Sequence, residues 1–275
     1  MKHKLAFVSD THCGSIVGLW PGRHAIEGGG IYEANKAQQW MGKCWAHAAR
    51  EIRKCDTVVL EGDMIQGTNA RDGQLIGSTT QTQVDAALTL LKPALEKAER
   101  IYALRGTEWH DGKAAEHCEQ LAQRLNAVVD QETGQYSRWE MYLDVGGPVI
   151  HSSHHIGVSS VPSYELTIPL RDTMILLSEL SRFFGGLAPN VRLVTRSHRH
   201  RFAHGYVAPD TQVFVTPGWQ LKTAFAFKKG ASLLPQIGWV LVEWDGRDLT
   251  VKPRLYPLPA LAVERIDADN NTVEV

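Results

Sequence analysis

Short apolar runs alternate with amphipathic segments over the first 126 residues of the chain. The pattern predicts strands and helices in turn: strand 4–9, helix 33–54, strand 56–61, helix 82–100, strand 101–105 and helix 113–126. This order is typical of parallel strands joined by helical crossovers. The first half of the chain is therefore predicted to be α/β.

The second half is richer in strands and has shorter connections. Gly146-Gly147 separates two apolar runs, which predicts a hairpin of residues 138–145 and 148–153. The remaining predicted elements are a helix at 166–184 and strands at 190–196, 212–216, 237–244 and 248–255. No repeat or low-complexity linker separates the halves. We expect one domain, residues 1–275, with two sheets, a core at 4–260 and a polar tail at 264–275.

Composition excludes several classes of protein. The 275 residues are 43% hydrophobic, which is enough for a sizeable core, and the formal net charge of -1 gives no global attraction to nucleic acids or membranes. No apolar run reaches the roughly 18–20 residues that span a bilayer. The apolar stretch in MKHKLAFVSDTHCG is too short for a signal peptide, which predicts a cytoplasmic protein. The four cysteines show no metal or disulfide spacing, so we expect free thiols.

Side chains that can bind metal follow five predicted strands directly. They are Asp10 and His12, then Asp63, then Glu108 and His110, then His154 or His155, and finally His198 and His200. Because ligands bind at the carboxyl ends of strands in open α/β sheets, we expect these side chains to lie close together. One such motif alone would be weak evidence, but five in order after apolar strands predict a site.

The residue types indicate a pair of transition-metal ions. Asp-x-His and His-x-His place two ligands on the same side of an extended segment, since side chains alternate with period two. Mixed oxygen and nitrogen ligands favour Mn²⁺, with Fe, Zn and Ni as alternatives. The set is too large for one tetrahedral ion and fits two ions about 3.5–4 Å apart.

In these motifs the sequence resembles the calcineurin-like metallophosphoesterase superfamily. The motifs are Asp10-Thr11-His12, Gly62-Asp63, Gly106 to Asp111, His154 or His155, and Ser197-His198-Arg199-His200, within residues 4–202. The resemblance implies a four-layer α/β/β/α sandwich of two mixed sheets, with two divalent metal ions at one edge. It also implies phosphoester hydrolysis by a hydroxide that bridges the two ions. The sequence contains neither a P-loop nor Gly-x-Ser-x-Gly, which leaves the main alternative hydrolase chemistries without support.

The resemblance also implies a role for each matching residue. Asp10, His12 and His200 would hold the first ion, and His154 and His198 the second. Asp63 would bridge both ions, and His110 would be the catalytic residue at the phosphoryl group. The family has an Asn in the third motif, but this chain has Thr107-Glu108-Trp109 before His110. Either Thr107 or Glu108 replaces that Asn, or the second metal site is weak; we favour Glu108, because a carboxylate is a stronger ligand than a hydroxyl.

The substrate is less constrained than the chemistry. Arg199, Trp219 and Lys222 lie in a late basic stretch with aromatic rings, and are candidates for contact with a nucleic acid or nucleotide. The long glycine-rich loop 13–31 adds Trp20 and Arg23. We favour a phosphodiesterase slightly over a phosphomonoesterase acting on a small molecule or phosphoprotein. A metallophosphoesterase-like scaffold without turnover is the third hypothesis. Neither the pattern nor the composition predicts an oligomeric state.

Overall fold

The computed structural model describes residues 3–68, 73–158, 161–230, 233–260, 263, 265–266 and 272–273. Within these residues the strands are β1 (His3–Val8), β2 (Arg23–Ala25), β3 (Ile31–Glu33), β4 (Thr57–Leu60), β5 (Arg100–Leu104), β6 (Ser137–Arg138), β7 (Glu140–Asp144), β8 (Val149–Ser153), β9 (Val191–Arg196), β10 (Ala203–Ala208), β11 (Thr211–Val215), β12 (Ile237–Trp244), β13 (Leu249–Tyr256), β14 (Arg265–Ile266) and β15 (Thr272–Val273). The α-helices are α1 (Lys36–Ile52), α2 (Thr80–Leu95), α3 (Glu108–Asp111), α4 (Glu116–Arg124), α5 (Tyr164–Phe184) and α6 (Ala224–Lys228).

Two mixed sheets form the centre of the fold. The larger has the strand order β13-β12-β1-β4-β5-β6, in which β1, β4, β5 and β6 run parallel and β12 and β13 are antiparallel to their neighbours. The second has the order β10-β11-β9-β8-β7, with β8, β9 and β11 parallel. The parallel strands of each sheet end at the same edge.

The two sheets pack face to face, with helices on both outer faces. In β1, Leu5 and Phe7 point toward the second sheet, where Phe7 meets Phe214 of β11 edge to face at 5.3 Å between ring centroids. Ala6 and Val8 point the other way, into the core under α1 and α2. On the far side, residues of β9 and β11 pack against α5. This alternation produces the four-layer α/β/β/α sandwich that the resemblance implies.

The longer predicted elements are confirmed within a few residues at their ends. Helix α1 begins at Asn35, whose side chain accepts a bond from the Gln38 amide while the Gln38 side chain accepts from the Asn35 amide, a capping box. The shorter elements β2, β3, β6, β10, α3 and α6 were not predicted. A helix of four or five residues is too short to show a 3.6-residue period, and β10 is a partly exposed edge strand without clear alternation.

Other expectations concern the termini, the thiols and membranes. Most of the predicted tail at 264–275 lies outside the described residues; within it, β14 pairs with β15. That the chain forms one domain stays a prediction. All four cysteines are free thiols. None of the helices in the described ranges has the length and apolarity needed to cross a bilayer.

Candidate metal centre

The predicted ligands follow strands whose carboxyl ends meet at one edge of the two sheets. In the larger sheet, β1 leads to Asp10 and His12, and the parallel strand β4 leads to Asp63. In the second sheet, the parallel strands β8 and β9 lead to His154 and to residues 198–200. The sheets thus bring acidic and imidazole side chains together in three overlapping groups.

The first group consists of Asp10, His12 and His200. Asp10 Oδ1 lies 3.1 Å from His200 Nε2 and 3.6 Å from His12 Nε2. The two imidazole Nε2 atoms are 3.1 Å apart. Three potential ligand atoms from both sheets therefore face one point, with Asp10 and His12 fully buried and His200 partly exposed.

The second group consists of Asp63, His154 and His198. His154 Nε2 lies 3.1 Å from Asp63 Oδ2, and both side chains are buried. His155, the alternative to His154 in the sequence, belongs to none of the three groups, and its side chain is exposed. The geometry therefore brings His154 to the site and leaves His155 on its rim.

The third group connects the other two. It consists of His12, Asp63 and His110, so it shares His12 with the first group and Asp63 with the second. His110 Nδ1 lies 2.6 Å from the backbone oxygen of Gln66, and its ring meets that of His12 edge to face at 4.4 Å. Asp63 is thus the carboxylate in the middle of the cluster.

The buried polar atoms of the cluster fit divalent cations. Within the described part of the chain, Asp10 Oδ1 and His154 Nε2 are buried and make no hydrogen bond of normal geometry, although His200 Nε2 and Asp63 Oδ2 lie 3.1 Å from them. Burial of such atoms is costly unless another ligand satisfies them. Burial alone would raise the pKa of Asp10, but His200 and His12 hold it well below the usual range. Burial alone would lower the pKa of His154, but the Asp63 carboxylate raises it to about 10. Positive charge on neighbouring groups thus stabilises the ionised form of the carboxylates, and a bound cation would have the same effect.

Most of the candidate ligands have a left-handed backbone conformation. Among the described residues other than glycine, positive φ angles occur at Asp10 (53°), His12 (45°), Asp63 (53°), His198 (69°) and His200 (52°), and elsewhere at only two positions. Such conformations cost on the order of 1 kcal/mol each and are concentrated at functional sites. The expectation that Asp-x-His and His-x-His lie on extended segments is therefore wrong: His198 and His200 turn toward different groups.

Glu61 makes hydrogen bonds that hold the cluster in place, and it was not predicted from the sequence. Its carboxylate is buried and accepts hydrogen bonds from the hydroxyls of Thr195 and Thr216, one at the end of β9 and one just after β11. Its backbone oxygen accepts from His154 Nδ1 at 2.6 Å and from the Ser197 hydroxyl at 2.8 Å. These bonds fix the His154 ring with Nε2 toward Asp63. The sequence did contain a signal for Glu61, because it is a charged residue at the end of a buried strand, in LEGD.

Two glycines make room for the carboxylates. A Cβ at Gly106 would lie 2.1 Å from Asp63 Oδ1, which no side chain tolerates. A Cβ at Gly218 would lie 3.0 Å from the His200 ring and 3.2 Å from Asp10 Cβ. Gly106 was part of the third motif, whereas Gly218, which follows β11, was not recognised from the sequence.

The structure differs from the expectation for Glu108. Helix α3 begins at Glu108, whose side chain is exposed and belongs to none of the three groups. Thr107 reaches the cluster instead, because its amide donates to Asp63 Oδ1 at 2.7 Å and its hydroxyl lies 3.1 and 3.2 Å from the two carboxylate oxygens. The short helix turns the next two side chains away from Asp63. Trp109 is also turned outward, and 52% of it is exposed.

Replacement of Thr107 should therefore affect metal binding more than replacement of Glu108. We expect Thr107→Val to weaken binding of one ion about 10- to 100-fold, because it removes the hydroxyl beside both Asp63 oxygens. Glu108→Gln should stay within about twofold of the wild type. Calorimetric Mn²⁺ titration of both variants measures the difference. Loss of an ion in Glu108→Gln alone would instead support the carboxylate as the ligand.

The candidate substrate contacts are only partly accessible. Trp219 is fully buried and packs edge to face against Trp45 at 5.0 Å, so its expected contact with substrate is wrong. Trp20 is buried as well. Arg199 is half-buried and donates to the backbone oxygen of Glu165, and Lys222 Nζ lies 4.2 Å from the centre of the Phe227 ring.

Comparisons with known proteins give similarity at the level of whole structures. No protein-family model and no curated protein matches the sequence. A predicted phosphoesterase from Streptococcus pneumoniae is 11% identical with a TM-score of 0.42, over 94% of either chain. Vps29 from Chaetomium thermophilum is 10% identical with a TM-score of 0.44, over 99% of this chain and 95% of its own. A dimetal phosphatase from Danio rerio is 11% identical with a TM-score of 0.47, over 92% of this chain and 96% of its own.

Identities and TM-scores this low give no functional information, whereas the side chains of this molecule do. The five motifs occur in the order that the resemblance requires, and the two mixed sheets with outer helices have the implied architecture. The chain thus resembles the calcineurin-like metallophosphoesterases in its motifs and in its fold.

Proposed function

We propose that the protein is a metal-dependent phosphoester hydrolase that acts on a diester of a nucleotide or nucleic acid. The observation that carries this proposal is the overlap of the three acidic and imidazole groups at one edge of the sheets. A single structural cation needs one closed set of ligands, whereas overlapping groups that share Asp63 and His12 suit two adjacent ions.

The side chains divide between two divalent cations, with Mn²⁺ favoured and Fe, Zn or Ni as alternatives. The first ion would be held by Asp10, His12 and His200, and the second by His154 and His198, with Asp63 between them. When bound, two such cations activate a water molecule and neutralise charge on phosphoryl oxygens. Glu61 and Ser197 keep the His154 ring oriented for this purpose.

His110 is the proposed catalytic residue. Its Nδ1–H donates to the backbone oxygen of Gln66 at 2.6 Å, which leaves Nε2 for the side of the cluster formed by His12 and Asp63. When protonated, Nε2 can donate to a phosphoryl oxygen or to the leaving oxygen. A donor held in place in this way offsets charge that develops in the transition state.

Basic side chains support a polyanionic substrate. Arg199 lies between two candidate ligands in the sequence, and Lys222 follows the segment in which the Trp219 amide donates to the Asp10 backbone oxygen. Lys228 and Lys229 at the end of α6 are exposed. Cationic side chains of this stretch could bind the phosphates that flank a scissile diester.

A substrate panel tests the proposed activity. The Mn²⁺-loaded protein is assayed with bis-p-nitrophenyl phosphate, p-nitrophenyl phosphate, and single- and double-stranded DNA and RNA. We expect turnover of the diester and of at least one nucleic acid. Turnover of the monoester alone would indicate a phosphomonoesterase. Absence of turnover with every metal would support the third hypothesis, a metallophosphoesterase-like scaffold without turnover. Protein treated with chelator is the control for adventitious hydrolysis.

We predict two bound transition-metal ions per chain. Each of two groups of three candidate ligands can satisfy an ion, and no group contains all the ligands. Elemental analysis after Mn²⁺ loading and removal of free metal should approach two equivalents. A single equivalent in a fully active protein would contradict the dinuclear proposal.

A further inference from the structure

An exposed indole lies beside the second group of candidate ligands. Trp139 is 51% exposed and sits between β6 and β7, where the chain passes from the larger sheet to the smaller one. Its ring centroid is 6.3 Å from that of His155, which is also exposed. The His155 ring in turn lies 5.1 Å from His154 and 6.3 Å from His198. The two exposed rings, tilted by 44° to each other, therefore lie side by side next to the candidate metal ligands.

Trp139 is held in position by a buried cation. The guanidinium carbon of Arg105 lies 5.2 Å from the centre of the indole. Arg105 is itself only 9% exposed and donates to the hydroxyl and backbone oxygens of Ser137 at 3.0 and 3.1 Å. The arginine is thus a fixed support for the indole, and much of the ring remains open to solvent. The indole is thus oriented by Arg105 and about half exposed, which leaves part of the ring available to a ligand.

We propose that Trp139 and His155 form a stacking surface for the nucleobase of the substrate. The inference rests on the proposed function, since the phosphate of the same substrate would lie among the metal ligands. In a nucleotide the sugar separates the base from the phosphate, so a base-binding surface belongs just outside the ligands. Trp139 and His155 lie there.

The chemistry of the surface selects this substrate class. Every nucleobase has a flat π-face that stacks on an aromatic side chain, and this stacking tolerates different sequences. The Arg105 guanidinium makes a cation–π contact with the indole, which helps to hold the ring in position. A phosphorylated sugar or a phosphoserine has no flat ring for this surface.

The test compares two diesters that differ in the base alone. They are the p-nitrophenyl ester of thymidine 5′-monophosphate and the same ester of 2-deoxyribose 5-phosphate, and both release p-nitrophenol. We expect wild-type protein with Mn²⁺ to prefer the thymidine ester in kcat/KM. Trp139→Ala should reduce this preference about tenfold, equivalent to about 1.4 kcal/mol. Trp139→Phe should retain most of it, because a phenyl ring still stacks.

Equilibrium binding gives a readout that is independent of turnover. Thymidine 5′-monophosphate and 2-deoxyribose 5-phosphate are titrated into the Mn²⁺-loaded wild type and Trp139→Ala. The base should strengthen binding in the wild type and contribute about tenfold less in the variant. A short oligothymidylate distinguishes the sources of the base: tighter binding than the mononucleotide indicates a strand, and equal binding indicates a free nucleotide.

Phe183→Ala is a matched control. Phe183 is 68% exposed and has the Arg182 guanidinium 5.3 Å from its ring centre, but it lies at the end of α5 that precedes β9, away from His198. This variant should keep the wild-type preference. An unchanged preference in Trp139→Ala, or an equal loss on both esters, would overturn the inference. A base preference in binding without hydrolysis of any ester would support the inference while the proposed function fails.

Discussion

Asp63→Asn is expected to abolish hydrolysis while the protein remains folded. Asp63 belongs to two of the three groups and lies 3.1 Å from His154 Nε2, so loss of its charge disturbs both proposed ions. The amide is nearly isosteric with the carboxylate and can still accept from the Thr107 amide, which keeps the local packing. We expect kcat to fall by at least about 10³, more than for loss of a single transition-state contact.

The measurement combines kcat on bis-p-nitrophenyl phosphate with metal content and circular dichroism. Asp144→Asn is a suitable control, because Asp144 is an exposed carboxylate in the hairpin turn, where it accepts from two glycine amides. It should leave kcat unchanged. If Asp63→Asn keeps a tenth or more of the wild-type kcat, the bridging assignment is wrong.

His110→Ala should reduce the rate without removing the metals. The ring is anchored through Nδ1 to the backbone oxygen of Gln66, and the variant leaves the remaining candidate ligands in place. Loss of one donor to the developing charge on phosphate typically costs about 10²–10³ in kcat. We expect a fall of this size with two ions still bound.

The two roles of His110 can be separated by experiment. His110→Ala and His198→Ala are compared for metal content and kcat on the same preparations. His198 is a candidate ligand of the second group, so its variant should lose an ion. Loss of an ion from His110→Ala as well would show that His110 is a ligand and would remove its assignment as the catalytic residue.

The position of the candidate site could be predicted because the relevant signals are local. Asp10 and Asp63 follow apolar runs directly, and parallel strands bring such positions to one edge whatever the rest of the chain does. The same holds for His154 and His198 after β8 and β9. Strand order and four layers required the family resemblance, because pairing of β1 with β12 joins residues more than 230 positions apart.

The predictions that were wrong or missing depend on contacts between residues that are far apart in the sequence. Glu108 is the better ligand chemically, but the turn at Gly106 is set by close contact with Asp63, and this contact selects Thr107. Trp219 was read as a substrate contact because basic residues surround it in sequence. Its burial comes from Trp45, which is remote in the chain. Glu61 was missed because the threonines that donate to its carboxylate, in β9 and just after β11, are remote in the sequence.

The first and second groups of proposed ligands each draw on both sheets. Asp10 and His12 come from the larger sheet and His200 from the smaller one, and Asp63 likewise faces His154 and His198 across the interface. A cation bound in either group would therefore cross-link the two halves of the sandwich. Because such binding favours the folded state alone, metal at 100 times its dissociation constant would add about 2.7 kcal/mol per site to the free energy of unfolding. The same ions that support catalysis would thus link metal supply in the cell to the lifetime of the folded protein.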